Sequence, residues 1–252
     1  MTTLKINRKY NDKLFKFIFG NPKNRELALE LYNGLNESNY NNPEDIDYHI
    51  VDDAIYMNIK NDKSFLVEND LRLWDQGDEY FPPIPLRSLN YVTKFYEDYI
   101  EKENLDIDGP ELVMIPKLNC ICLYDKKDNN VYIHKVKLSD IWSKDENSLD
   151  DRIYLELETC MININYEYNN KLLKRCKSLY EYSFFVDAMR SYIRELEKGG
   201  KNYKIKDVID VAIDALPKDF KILNFLLENK EQITDICSRD YQYYKMQKAA
   251  QM

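Results

Sequence analysis

Apolar positions recur first at helical spacing, then in short blocks, then at helical spacing again. Leu14, Phe15, Phe17 and Ile18 precede Gly20-Asn21-Pro22, and Leu27, Leu29, Leu31 and Leu35 follow it. This predicts two short helices broken at the Gly-Asn-Pro turn, with Pro22 opening the second. Asn36 to Asp45 is polar and predicts a loop. Ile50–Ile59, Ser64–Val67 and Leu71–Trp74 then form short apolar blocks of strand length, separated by Lys60-Asn61-Asp62-Lys63 and Glu68-Asn69-Asp70. The second separator predicts a hairpin turn, because Asn and Asp tolerate left-handed backbone.

Pro82, Pro83 and Pro85 stop any continuing strand, and Leu86 to Glu101 carries Leu89, Val92, Phe95, Tyr96 and Tyr99 at helical spacing. The run Leu118 to Tyr124 predicts a buried central strand, with Val131–Leu138 and Ile153–Tyr166 as further strands. His134 falls on the first of these two, whereas His49 reads as a loop residue. Beyond Lys171 the pattern is helical: Lys171–Arg194, Ile205–Ala215, and Phe220–Met246 with a break near Asn229. Strands and helices mix first and helices alone come last, so the expected class is α/β, with a core over 1–166 and a helical C-terminal lobe over 167–252 packed on it.

Composition narrows the chemistry. A formal charge of −8 opposes indiscriminate binding to phosphate, so any nucleic acid must meet a local basic face. Lys5, Arg8, Lys9, Lys13 and Lys16, with Lys171, Lys174, Arg175 and Lys177, are the available clusters, and solvated helix faces are their ordinary reading. The five cysteines offer no paired metal-ligand spacing, and Cys120 and Cys122 lie in an apolar run, which predicts buried reduced thiols on one strand face. The first residues are polar and charged, and no apolar run approaches a membrane span, so cytoplasmic residence and no membrane partner are expected.

Metal-dependent phosphodiester cleavage needs carboxylates that converge from neighbouring strands, with a polar or cationic group beside them. In the expected hairpin, Asp62 opens the first strand and Asp75 closes the second, so both acids lie at one edge. Lys63, Lys117 and Asp78 are candidates for the neighbouring polar group, and Asp12 or Glu26 for a further ligand. No nucleophile elbow, phosphate-binding glycine loop or dinucleotide fingerprint is present to support another chemistry.

The phrase running from Asn7 to Gly20, followed by Leu31-Tyr32-Asn33, resembles the recombination-promoting nuclease (Rpn) and transposase family of the PD-(D/E)XK superfamily. The likeness continues through Tyr56 to Leu66, Pro85-Leu86-Arg87, Ile162 to Tyr166, Glu181 to Val186 and Ile233-Thr234-Asp235. It implies a restriction-endonuclease-like mixed sheet flanked by helices, and magnesium-dependent cleavage of DNA. It also implies that Asp62 is the first catalytic, metal-binding acid and Asp75 the second, where the family has Glu. Gly77 stands where the family has Gln, so Gln76 is the candidate to supply the missing amide, provided a bulge at Gly77 turns it.

Two functions follow from the resemblance. One is a magnesium-dependent DNA endonuclease with an altered site built on Asp62, Asp75 and Gln76. The other is an inactive nuclease fold from a mobile element or phage that occupies nucleic acid or inhibits a host defence complex, which the negative charge suits. The aromatic helical ending is compatible with a homodimer.

Overall fold

The computed structural model describes residues 10–52, 54–59, 64–69, 83–125, 132–142, 152–168 and 171–238. The chain is α/β and divides into two units, one of residues 1–41 with 164–252 and one of residues 42–163. This division differs from the expected one at 166/167. The first two helices group with the C-terminal helices, and the sheet belongs to the middle of the chain.

In the helical unit, α1 (Tyr10–Phe19) and α2 (Arg25–Asn36) are separated by a 3-10 turn at Pro22–Asn24. The break falls at the Gly-Asn-Pro phrase as predicted, but Pro22 opens this turn, which Asn21 caps by accepting from Lys23 N at 3.0 Å, and α2 itself begins only at Arg25. After α2 the chain leaves through Glu37, whose φ of 57° is left-handed. The C-terminal part holds α4 (Lys171–Arg175), α5 (Lys177–Lys198), α6 (Ile205–Asp214) and α7 (Ile222–Glu228), with further helix over 230–238. The predicted helix over 171–194 is thus interrupted at Cys176, and the predicted break at Asn229 is present.

Tyr182 of α5 ties these pieces together. Its ring meets Phe15 and Phe19 of α1 edge-on at 5.7 and 5.8 Å, and its hydroxyl donates to Asn11 O at 3.1 Å. Gly34 lets α2 approach the α4–α5 junction, because a Cβ there would sit 3.0 Å from Leu172 Cδ1 and 3.1 Å from Cys176 Cβ.

In the sheet unit the described strands are β1 (Ile46–Val51), β2 (Ala54–Ile59), β3 (Ser64–Asn69), β4 (Leu118–Tyr124), β5 (Ile133–Lys137) and β6 (Glu158–Asn163), and the helix α3 (Ile84–Lys102) lies between β3 and β4. They form one mixed six-stranded sheet in the order β1-β2-β3-β4-β6-β5. The strands β3, β4 and β6 run parallel, and β1–β2, β2–β3 and β5–β6 pair antiparallel. Parallel neighbours need a crossover, and α3 provides it between β3 and β4.

The helix α3 packs on one face of the sheet. Its Tyr91 and Phe95 join Val51, Ala54, Tyr56, Leu66 and Cys120, and its Ile84 joins Cys122, Tyr124 and Met161. Ser88 and Thr159 share a buried hydroxyl hydrogen bond of 2.9 Å that fixes α3 over β6. Among the described residues no helix is long and apolar enough to cross a membrane.

Several expectations are corrected by this sheet. The block Ile50–Ile59 is not one strand but the end of β1 and all of β2, with a turn through Asp52, whose φ is 51°. His49 is therefore a strand residue, opposite Tyr56. Glu68 and Asn69 are not a turn, since β3 runs through both and pairs them with Cys122 and Leu123 of β4. The expected strand over 153–166 is confined to Glu158–Asn163, and Ile153, Tyr154 and Leu155 are exposed ahead of it. The expected strand over Leu71–Trp74 lies outside the described residues.

Candidate functional site

Asp62 lies outside the described residues, in the 60–63 connection joining β2 to β3. Asp75, Gln76 and Gly77 also lie outside them, in the 70–82 connection leading from β3 to α3. Those two connections attach to opposite ends of β3, because β3 begins at Ser64 and ends at Asn69. Six strand residues span roughly 20 Å. Lys63 and Asp78 fall in the same connections, whereas Lys117 is described and leads directly into β4. Asp12 is buried in the first turn of α1, and Glu26 lies in the first turn of α2, both in the helical unit.

The register brings different acidic positions together. Val51 pairs with Ala54 across the β1–β2 turn, and Ala54 pairs with Glu68 across the β2–β3 hairpin. The turn residue Asp52 and the backbone of Glu68 therefore share one end of adjacent strands, beside the carboxyl end of β4. In open α/β sheets that end is where ligands bind. In the sequence each is followed by another acid nearby, Asp53 and Asp70, which lie outside the described residues. Lys94 of α3 forms an ion pair with Asp52 at the surface, so a cation from the covering helix stands at the same end. Asp125, buried directly after β4, is the next acid along this edge.

The sequence pattern did not single out Asp52 or Glu68, for one shared reason. Reading Ile50–Ile59 as a single strand hid the turn acid, and reading Glu68-Asn69-Asp70 as a turn removed Glu68 from the strand. The adjacent Asp52-Asp53 pair inside an otherwise apolar block was the signal for the turn.

The opposite part of the α3-covered face is polar and aromatic. Ser64 Oγ donates to Asn58 Oδ1 at 3.1 Å. His49 lies nearly parallel to Phe95, with ring centroids 5.4 Å apart, and meets Tyr56 at 4.8 Å. Burial pushes the His49 imidazole below the ordinary histidine value, with Lys102 acting in the same direction and Asp47 and Asp98 opposing. Burial likewise raises the Tyr56 phenol, against the lowering effect of its hydrogen bond with Ser64.

All five cysteines are free thiols, with Cys120 and Cys122 buried on one face of β4 as expected, and burial pushes both Cys176 and Cys237 up to about 12. No group of three or more His, Cys, Asp or Glu side chains that could hold a metal ion occurs among the described residues. Of the basic cluster after residue 170, Lys171 pairs with Glu37 at 2.6 Å and Arg175 donates to Ser38 O at 3.0 Å, both within the helical unit. Of the two tryptophans, Trp142 is described and exposed at the surface.

Comparison with protein-family models, with curated proteins and with solved structures gives no match.

Proposed function

We propose that residues 42–163 form a restriction-endonuclease-like unit that cleaves DNA with magnesium, and that its acids are Asp52 and Glu68. The observation that carries this reading is the Ala54–Glu68 pairing, which puts two acidic positions from neighbouring strands at one end of the sheet. Oxygen donors of this kind suit magnesium, which supplies Lewis-acid polarisation of a phosphate oxygen. Lys94, paired with Asp52, provides the cationic group that Gly77 cannot. A mixed sheet with an antiparallel hairpin, a crossover helix and a parallel strand is the arrangement the resemblance leads one to expect.

The resemblance itself favours Asp62, Asp75 and Gln76, so the two placements compete within one activity. Nicking of supercoiled DNA in magnesium or manganese separates them. Glu68→Gln and Lys94→Met are expected to remove cleavage while Asp62→Ala retains it. The reverse pattern moves the site to Asp62 and its partners. An absence of cleavage by folded wild-type protein in both metals rejects the enzyme and leaves the alternative, a nuclease fold acting by binding nucleic acid or a protein of a defence complex.

A further inference from the structure

The segment between α3 and β4 holds large apolar side chains out of the core. Leu112 is 88% exposed and Met114 75%, with Ile115 beside them. This segment is anchored at both ends. Leu105 N donates to Ile100 O at 3.0 Å, Asp108 N to the Asp106 side chain at 3.2 Å, and the Tyr96 hydroxyl to Pro116 O at 2.8 Å.

A second exposed apolar stretch, Ile153, Tyr154 and Leu155, precedes β6. The parallel strands β4 and β6 are neighbours, so the two segments enter the sheet side by side at the same end. Their inner residues Leu118 and Leu157 pack against one shared cluster. The outer residues lie on two segments that lead into adjacent strands, and we take them together as one apolar margin of the sheet unit, since exposed apolar groupings mark contact sites for other proteins.

Charge decides what fits there. Between Lys102 and Lys117 the chain carries Glu103, Asp106, Asp108 and Glu111 and no other charged residue. A second copy docking the same margin on itself would oppose these acids, and anionic lipid or nucleic acid would be repelled by them. The margin does accept a cation of its own chain, since the Arg152 guanidinium lies 5.3 Å from the centroid of the Tyr154 ring.

We infer that this margin docks a segment of a partner protein in which Lys or Arg alternates with large apolar side chains. Apolar contact with Leu112, Met114 and Tyr154 supplies the burial, and the acids from Glu103 to Glu111 select the basic partner.

The test uses the full chain and a fluorescein-labelled peptide of alternating leucine and lysine, read by fluorescence anisotropy. Peptides of leucine with glutamate, and of serine with lysine, are the controls. The leucine–lysine peptide is expected to bind best. The double substitution Leu112→Ser with Met114→Ser, and separately Asp106→Asn with Asp108→Asn, should each weaken it on the order of tenfold. All four substitutions change exposed side chains, so far-UV circular dichroism should be unchanged.

Equal binding of the leucine–glutamate peptide, or binding unaffected by the apolar double substitution, overturns the proposal. So does a wild-type dimer in sedimentation velocity that the same double substitution dissociates, which would make a second copy the occupant. Binding to phosphatidylglycerol vesicles lost in that variant would likewise overturn it in favour of a lipid surface.

Discussion

Tyr56 of β2 and Phe95 of α3 stack nearly parallel, with ring centroids 4.3 Å apart and 27° between the planes. Phe95 also lies against His49, Tyr96 and Tyr99, so one helical side chain organises the aromatic contacts between α3 and the first two strands. Phe95→Ala should lower the unfolding free energy by about 3–5 kcal/mol, while Phe95→Leu, closer in volume, should cost about 1.5 kcal/mol or less. Urea unfolding followed by circular dichroism measures both. A loss under about 1 kcal/mol for the alanine variant would mean that these rings do not hold α3 on the sheet.

The same stack makes stability sensitive to acid. Burial lowers the folded-state pKa of His49, so the unfolded chain takes up a proton at this position more readily than the folded one. The stability gained by keeping His49 neutral is complete above the ordinary histidine value of about 6.5 and is lost as the pH falls through the lower folded value. In His49→Phe the urea midpoint should change less between neutral pH and pH about 5 than in wild type. Identical slopes in the two proteins would remove His49 as the cause.

In the helical unit, Glu181 tests burial against hydrogen bonding. Its Oε2 accepts from Ile222 N at 3.0 Å at the start of α7, and burial raises its carboxyl pKa, with Glu30 adding to the rise and Lys221 opposing it. A raised acid pKa means the folded state binds the proton more tightly. Stability from this group is therefore greatest below the unfolded carboxyl value and declines as the pH rises through the folded one. Glu181→Ala, which leaves the Ile222 amide without this acceptor, should cost about 1–3 kcal/mol. Glu181→Gln keeps an acceptor without the charge, so it should match or exceed wild-type stability at neutral pH and lose that advantage in acid. A glutamine variant as unstable as the alanine variant would show that the charge itself is required.

Local chemistry made part of this fold legible. The Gly20-Asn21-Pro22 phrase marked the break between α1 and α2 because its residues act on their own backbone, Asn21 by capping and Pro22 by its fixed φ. The apolar run of β4 announced a strand buried from both faces. Other features depend on partners distant in sequence. Glu68 and Asn69 have turn propensity, and they are held extended by parallel pairing to Cys122 and Leu123, more than fifty residues later in the chain. The alternation through Leu155 and Leu157 continued past the actual strand because apolar residues there line an exposed margin.

The candidate site follows the same rule. Its acids could be read as residue types, but which acid faces which depends on register, and a single displaced turn exchanges one end of β3 for the other. The Asp52–Glu68 relationship emerges only after β1 and β2 are seen as two strands. Lys94, forty-two residues from Asp52, had no sequence signal at all.

The chain order of the two units sets a timetable for synthesis. The helices α1 and α2 are synthesised before residues 42–163, yet Tyr182 and the rest of α5 that cover them are made only after the whole of that segment. At about 5–20 residues per second, that delay is on the order of 6–30 seconds. During it the apolar faces of Leu14, Phe15 and Leu31 lack their partners on α5, while the sheet unit, contiguous in the chain, already has all six of its described strands. The sheet unit is thus able to fold before α1 and α2 are covered, and these two helices depend most on chaperone protection until α5 is made.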